Sequence, residues 1–521
     1  MVLFTVDTLE GVYFSMKKIV SACLILSLIL GLCACGAKTP AATEPAFAVP
    51  ELPNKLEVKD VTEFPVATQD MSKTQLRQLI LDFFKLQLSF QWTSNLDITD
   101  YDMTNLKSDI PKFIMAGSVM GGVPYQSLGT GNMYRWLEYY DETTGVTDLK
   151  RAFEENGGYG EGAAIFDEKY DADGNLTYKK YRAMQVMFNQ CSSSSTWAWQ
   201  RVINSARFGW SWDITAARGF VPVGCFDYGY DYEGVHYGIP EIISFKKTED
   251  LPKAYTTSDV VSDMTRNVGY YAIYECYAQA KPGDILVRNG HVMMVDTVET
   301  VYTKSGKIDP TQSKMLVHEQ IEGWAMQSTL DGVIHQTQGR MNAGYKFDQL
   351  SKEGYLPFTC VELLDPNDPQ DKKHLDYYYT YADKISGNKT SYSAFEMPAD
   401  ATGAEVEKAR TLCTYEGSTI TAADFEKMVI GANYCISDVF VTVTDPSGKV
   451  LLKNTHRTST LYDREVAMSA GVATWTLDES GNPLPISTGV AELCDGQNTV
   501  TVTVQVSTGD LLTAYTGKLT K

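Results

Sequence analysis

Near the C-terminus Val500, Val502, Val504 and Val506 alternate with Thr499, Thr501, Thr503 and Gln505. A period of two puts every valine on one face of a strand, whereas a helix would scatter them around its axis. The same rhythm runs through Val439, Val441 and Val443. Turn-forming Asp445-Pro446-Ser447-Gly448 and Ser507-Thr508-Gly509-Asp510 separate such runs from further apolar segments. Half-buried strands joined by tight turns predict a small antiparallel sandwich over residues 431–521.

The other end of the chain sets the compartment. Lys17-Lys18 precede an apolar run from Ile19 to Leu32, and small residues follow up to Cys35. A basic start, a short apolar stretch and a small-residue cut make a secretory signal, too short to span a bilayer comfortably. Asp7 and Glu10 are wrong for its basic start, which points to Met16 as the initiator. The ending resembles a bacterial lipoprotein signal, with Ala34 before the cut and Cys35 as the lipid-modified residue. Residues 1–35 are therefore expected to be the signal. Residues 36–70, with Pro40, Pro45, Pro50, Pro53 and Pro65 among Ala, Thr and Glu, read as a semi-extended tether. Together they predict an exported protein held at the outer face of the bacterial cytoplasmic membrane.

At 521 residues the chain has material for several domains. Its 65 acids against 45 bases give a formal charge of −20, which excludes nucleic acid as the main partner because phosphate neutralisation needs clustered Lys and Arg. Held by a lipid tether, such a chain has less need of electrostatic capture at a surface. The 31 Tyr and 8 Trp fit either a surface that stacks on sugars or peptides or ordinary strand-rich composition.

The folded part is expected to open with a helix over about residues 72–91. Ser72 and Gln75 have capping-box spacing, and Leu76, Leu79, Ile80, Phe83 and Phe90 recur at helical intervals. Gly121-Gly122, Gly129 and Gly131 mark a loop where backbone approaches either a ligand or a packing partner. Residues 170–176 resemble a calcium loop only in composition; Arg182 stands where the bidentate Glu belongs, and a hairpin turn is expected instead. This organisation gives a region 71–184 that is either separate or a layer of the next one, a helix-and-strand domain over 185–363, a connecting region 364–430 and the sandwich.

Chemistry concentrates in three segments. Asn189-Gln190-Cys191-Ser192-Ser193-Ser194-Ser195 sets a Cys before a hydroxyl-rich turn and a helical stretch. A thiolate at a helix N-terminus faces unpaired N–H groups and the positive dipole end; read alone, the segment fits equally a buried thiol under a Ser-capped helix. Lys281-Pro282-Gly283-Asp284 turns into a strand, and Gly290-His291-Val292 opens the next, a strand-edge place that suits a general base but, read alone, is more often that of a structural His. Met315-Leu316-Val317-His318-Glu319-Gln320 is a third strand ending in polar groups, which can supply the residue that orients an imidazole.

In the order Cys, His, polar residue, these segments resemble the papain-like NlpC/P60 and CHAP superfamily of cysteine peptidases and amidases. The resemblance spans about residues 185–325 and implies a papain-like arrangement, with the nucleophile opening a helix packed on an antiparallel sheet; with the immunoglobulin-like sandwich read from the valine alternation, the expected fold class is α+β. It implies Cys191 as nucleophile and His291 as base. For the third residue, CHAP-type endings point to Glu319 and NlpC/P60-type endings to His318. Adjacent strand residues face opposite sides, so only one can reach His291. Glu319 is preferred because Glu319-Gln320 matches the CHAP-type ending as a unit and a carboxylate stabilises the imidazolium, with Gln320 assisting. The implied activity is hydrolysis of amide bonds in peptidoglycan peptides without a cofactor; acyl transfer by the same residues and a non-catalytic lipoprotein binding glycan or peptide are the alternatives.

The family's pattern is stretched here: 100 positions separate Cys191 from His291, and 28 separate His291 from Glu319. The first interval holds an aromatic, acidic segment from Cys225 to Tyr232, which would either line the cleft or fold on itself. Cys276 is expected in the core of a helix; Cys435 and Cys494 lie in the sandwich and could pair across its sheets, and with Cys360 and Cys413 the sequence leaves the pairing open. No two His or Cys have metal-ligand spacing.

Overall fold

The computed structural model describes residues 57–521, apart from 69, 99–113, 127, 159–162, 164, 171, 175, 203–219, 225–228, 233–234, 239–269, 289, 322–325, 331–332, 377–407, 459–462 and 472–483. The expected signal, Cys35 and most of the tether lie outside the described residues, as does Cys225. The fold is α+β, with several largely antiparallel sheets.

Helix α1 (Lys73–Ser89) begins where the capping box places it. The Ser72 hydroxyl accepts the Gln75 N–H, and the Gln75 side chain accepts the Ser72 N–H. Its inner side buries Leu76, Ile80, Phe83, Phe84 and Leu88. That side packs on helix α2 (Cys191–Gln200). Both helices border a six-stranded antiparallel sheet made of β1 (Phe220–Pro222), β2 (Ile285–Arg288), β3 (His291–Glu299), β4 (Lys314–Gln320), β5 (Gly339–Lys346) and β6 (Leu356–Cys360), in the spatial order β5-β4-β3-β2-β6-β1. The interval between His291 and Glu319 is the β3–β4 hairpin, lengthened by a turn-rich excursion over 300–313.

Region 71–184 is a layer of this same unit. Buried apolar side chains from Val61 to Leu364 form one cluster. A second six-stranded sheet combines Gln91–Ser94, Val119–Gly121, Tyr140–Asp141 and Val146–Thr147 with Met326–Leu330 and Val333–Thr337, which come from the excursion between β4 and β5. The segment over 165–181 forms the expected hairpin, pairing Ile165–Tyr170 with Leu176–Tyr181.

Two boundaries differ from expectation. The tether does not extend to residue 70: Val58–Thr62 is helical, Val61 is buried, and Phe64 packs edge-on against Phe83 5.1 Å away. Scattered prolines hid two apolar anchors whose burial requires the rest of the core. The C-terminal unit likewise starts before 431. Strands Thr411–Cys413, Val429–Ala432 and Glu465–Ala467 form a sheet of their own, and Thr419–Thr421 adds in parallel to the edge of the five-stranded sheet. Short strands of three or four residues carry too little alternation to be seen against turns.

In the five-stranded sheet Val439, Val441, Val443, Val500, Val502, Val504 and Val506 all face the core shared with Ile430 and Val466. No disulfide joins Cys435 to Cys494: Cys435 Sγ accepts the Gln200 side-chain N–H at 3.4 Å, and Cys494, which caps a short 3-10 turn, donates its thiol to the Val490 carbonyl.

The sandwich is joined to the first unit through a buried ionic knot. Arg135 Nε donates to Asp438 Oδ1 at 2.9 Å, and its terminal nitrogens reach the carbonyls of Thr130 and Val186 on one side and of Ser437 and Thr458 on the other. Arg457 donates to both oxygens of Glu138 at 2.6 and 2.7 Å, and its Nη1 lies 3.3 Å from Asp438 Oδ1. At the far end of α2, Ser507 Oγ donates to the Gln200 carbonyl. The frame around α2 is thus held from both units.

Candidate active site

Cys191 is the first residue of α2, with Gln190 as N-cap. The Gln190 side chain accepts the Ser193 N–H, while its own N–H donates to Ser193 Oγ at 2.8 Å. The hydroxyl-rich stretch is itself helical rather than a turn leading into the helix. Ser194, Ser195 and Thr196 donate their hydroxyls to the carbonyls of Gln190, Cys191 and Ser192, four residues back, so they can be buried within the helix.

The approach to Cys191 is fixed by the Gly-rich loop. Its close contact is with backbone rather than a ligand: a Cβ on Gly131 would stand 2.2 Å from the Met187 carbonyl oxygen, and one on Gly122 2.5 Å from that of Leu88. Gly131 N–H donates to the Phe188 carbonyl, and Gln126 N–H to that of Asn189. The Gly283-Asp284 turn braces the other end. Asp284 pairs with buried Arg77 at 2.6 Å and accepts the Lys281 N–H, and Trp199 of α2 donates to the Gly283 carbonyl. The Gly-Asp element therefore ties α1, α2 and β2 together.

His291 opens β3 directly opposite Arg288 of β2. Its ring has two partners. Nε2 lies 2.8 Å from Glu319 Oε2, and the Cys191 thiol is near enough to act on the ring's proton affinity. Cys191 is 4% exposed, the His291 side chain 13% and the Glu319 side chain 1%. Burial alone would lower the His291 pKa, but hydrogen bonds and charge from Cys191 and Glu319 outweigh it and raise the value to about 9. For Glu319 burial favours the neutral acid, yet His291, Arg340 and Tyr345 hold it below the usual carboxylate range. Arg340 Nη2 approaches Glu319 Oε1 to 2.8 Å, and Tyr345 Oη donates to the same oxygen at 2.7 Å. The rings of Tyr355 and His291 meet at 72° with 6.4 Å between centroids, and the Tyr355 hydroxyl accepts Arg288 Nε–H.

Cys191, His291 and Glu319 thus converge, while the two alternates do not join them. His318 projects from the other face of β4, where it is fully buried; Nε2 bonds Asp296 at 2.6 Å and Nδ1 accepts the Asn342 N–H. Burial lowers its pKa, and the pattern is that of a neutral ring clipped to Asp296, itself paired with Lys85. Gln320 donates to the Val123 carbonyl, so it braces the Gly-rich loop instead of His291.

Within the aromatic segment, Gly229–Tyr232 pairs with Val235–Gly238 as a hairpin of its own. Cys276 is buried in the helix Tyr270–Gln279, as expected. Arg340, Tyr345, Tyr355 and Arg288 were not singled out from the sequence, because nothing in their local spacing marks them; strand register brings them to the site. Among the described residues no cluster of three or more His, Cys, Asp or Glu could hold a metal ion, and no helix is long and apolar enough to cross a membrane.

Neither a protein-family model, nor a curated protein, nor a solved structure matches this chain.

Proposed function

We propose that this chain is a papain-like cysteine hydrolase that cleaves amide bonds in peptidoglycan peptides, acting outside the cytoplasm from a lipid anchor on Cys35. The observation that carries the reading is the convergence of a helix-opening Cys191, His291 and a buried Glu319 carboxylate.

The chemistry follows from the geometry. Glu319 holds the Nε2 proton of His291, leaving Nδ1 to serve the thiol. Cys191 attacks the scissile carbonyl as a thiolate, while the imidazolium carries the displaced proton. The tetrahedral oxyanion forms at the positive end of α2, where first-turn N–H groups stabilise it. His291 then gives its proton to the departing amine, which leaves a thioester on Cys191. Water attacks the thioester with His291 as base, and release of the carboxylic acid restores the thiol. No redox partner or cofactor enters this balance. The papain-like arrangement is supported by α2 packing against β3, and the immunoglobulin-like reading of the C-terminal unit by its two sheets over one core.

Peptide substrate and export are carried by the resemblance and the N-terminal signal. Iodoacetamide labelling near neutral pH, read by peptide mass spectrometry, tests the thiol's activation. The reading expects Cys191 to be modified before the half-buried Cys413, even though Cys191 is less exposed. Labelling of Cys413 with Cys191 untouched would favour a non-catalytic binding protein instead.

A further inference from the structure

We propose that Arg340 and Tyr345 are positioning residues that hold Glu319 as an oriented carboxylate, brought to it by a one-residue bulge in β5. This rests on the reading of Cys191, His291 and Glu319 as the catalytic set.

On a regular strand, positions 340 and 345 are an odd number apart and project to opposite faces. The pairing of β4 with β5 removes that conflict. Met315 stands opposite Tyr345 and Val317 opposite Ala343, yet Glu319 stands opposite Arg340. Two steps along β4 therefore match three along β5. Asn342 lies within the additional step and has a left-handed φ of 55°. Its N–H is held by His318 Nδ1 at 3.3 Å, so the residue excluded from the site pins the bulge that completes it. Such a slip moves every following side chain to the other face. Arg340 and Tyr345 thereby come to the face that carries Glu319.

Once there, they divide the carboxylate. Arg340 Nη2 lies 2.8 Å from Oε1 and 3.0 Å from Tyr345 Oη, which donates to Oε1 at 2.7 Å. Oε2 is left to His291. The groups facing Glu319 are thus His291 from β3, with Cys191 of α2 behind it, and Arg340 and Tyr345 from β5. Tyr355, which adjoins β6 and is bonded to Arg288 of β2, is a weaker neighbour. A carboxylate this deeply buried keeps its charge only while donors surround it. Stripped of both Oε1 donors, Glu319 takes up a proton and no longer favours the imidazolium. His291 then gives up its proton more readily, and the thiolate–imidazolium pair with Cys191 is less favoured.

The test is the pH profile of Cys191 alkylation by iodoacetamide in the full chain, from about pH 5 to about pH 10, with thermal unfolding as a check on folding. Relative to the unmodified protein, the double variant Arg340→Gln/Tyr345→Phe is expected to raise the acid midpoint by about one pH unit and to slow alkylation at about pH 6 roughly tenfold. Tyr345→Phe alone is expected to move the midpoint the same way by a smaller amount, and Arg340→Lys to leave most of the rate. An unchanged or lowered midpoint in a folded double variant would overturn the proposal. Should the double variant not fold, an unchanged midpoint in Tyr345→Phe does the same. Failure of Cys191 to react in the unmodified protein removes the catalytic reading, and this proposal with it; normal reaction in the parent and the variants alike removes only the positioning role.

Discussion

His291 Nε2 lies 2.8 Å from Glu319 Oε2, and Glu319 is almost wholly buried. Burial opposes the charge on His291, but Cys191 and Glu319 together raise its pKa to about 9. Turnover is therefore expected to hold through neutrality and to fall as pH rises through about 9, when His291 loses its proton. The stability linkage has the same sign. A folded pKa above the unfolded value of about 6.5 contributes stability that is complete below that pH and is lost as pH climbs through about 9. Replacing Glu319 with Gln should move the alkaline limb to lower pH and flatten this dependence of the urea midpoint. An alkaline limb indifferent to Glu319→Gln would contradict the assignment.

Asp438 sits fully buried between Arg135 and Arg457. Removing it leaves Arg135 without its carboxylate at the junction with the sandwich, while Arg457 keeps Glu138. Asp438→Ala is expected to cost about 3–5 kcal/mol in urea unfolding, the range for breaking a buried ion pair from one side. A loss below about 1 kcal/mol would show that the junction is hydrated or relaxes.

Gly131 has no room for a methyl group, since its Cβ would fall 2.2 Å from the Met187 carbonyl oxygen. The obstacle is backbone and leads directly to Cys191. Gly131→Ala is expected to destabilise the protein by about 1–3 kcal/mol. Because the shifted segment carries the N-cap of α2, it should also slow Cys191 alkylation in the fraction that remains folded. Thermal unfolding and labelling kinetics on one preparation separate the two effects.

The sequence foretold elements whose pattern is local. The capping box at Ser72, the valine alternation of the sandwich and the strand-opening place of His291 all rest on spacings of two to four residues. The preference for Glu319 over His318 rested on the Glu-Gln ending of the family it resembles and on the stability of a carboxylate beside an imidazolium; strand alternation said only that one of the two could reach His291. What local pattern cannot carry is register. Arg340 reaches Glu319 through a bulge at Asn342, and Arg135 reaches Asp438 across 303 positions. The packing of Val61 and Phe64 was hidden for a related reason: a proline-rich composition describes the chain's stiffness, not the presence of a groove for two side chains. Ser and Thr favour turns in solution, which suggests a turn ahead of α2, whereas here the hydroxyls of Ser194, Ser195 and Thr196 bond back along a buried helix.

The most direct test of the central claim is release of soluble peptide and new amino or carboxyl groups from purified peptidoglycan, comparing the unmodified chain with Cys191→Ala. Circular dichroism should establish that both are equally folded. Removal of the nucleophile is expected to reduce release to the level of a no-enzyme control, with His291→Gln nearly as deficient. Undiminished release by folded Cys191→Ala would contradict the account.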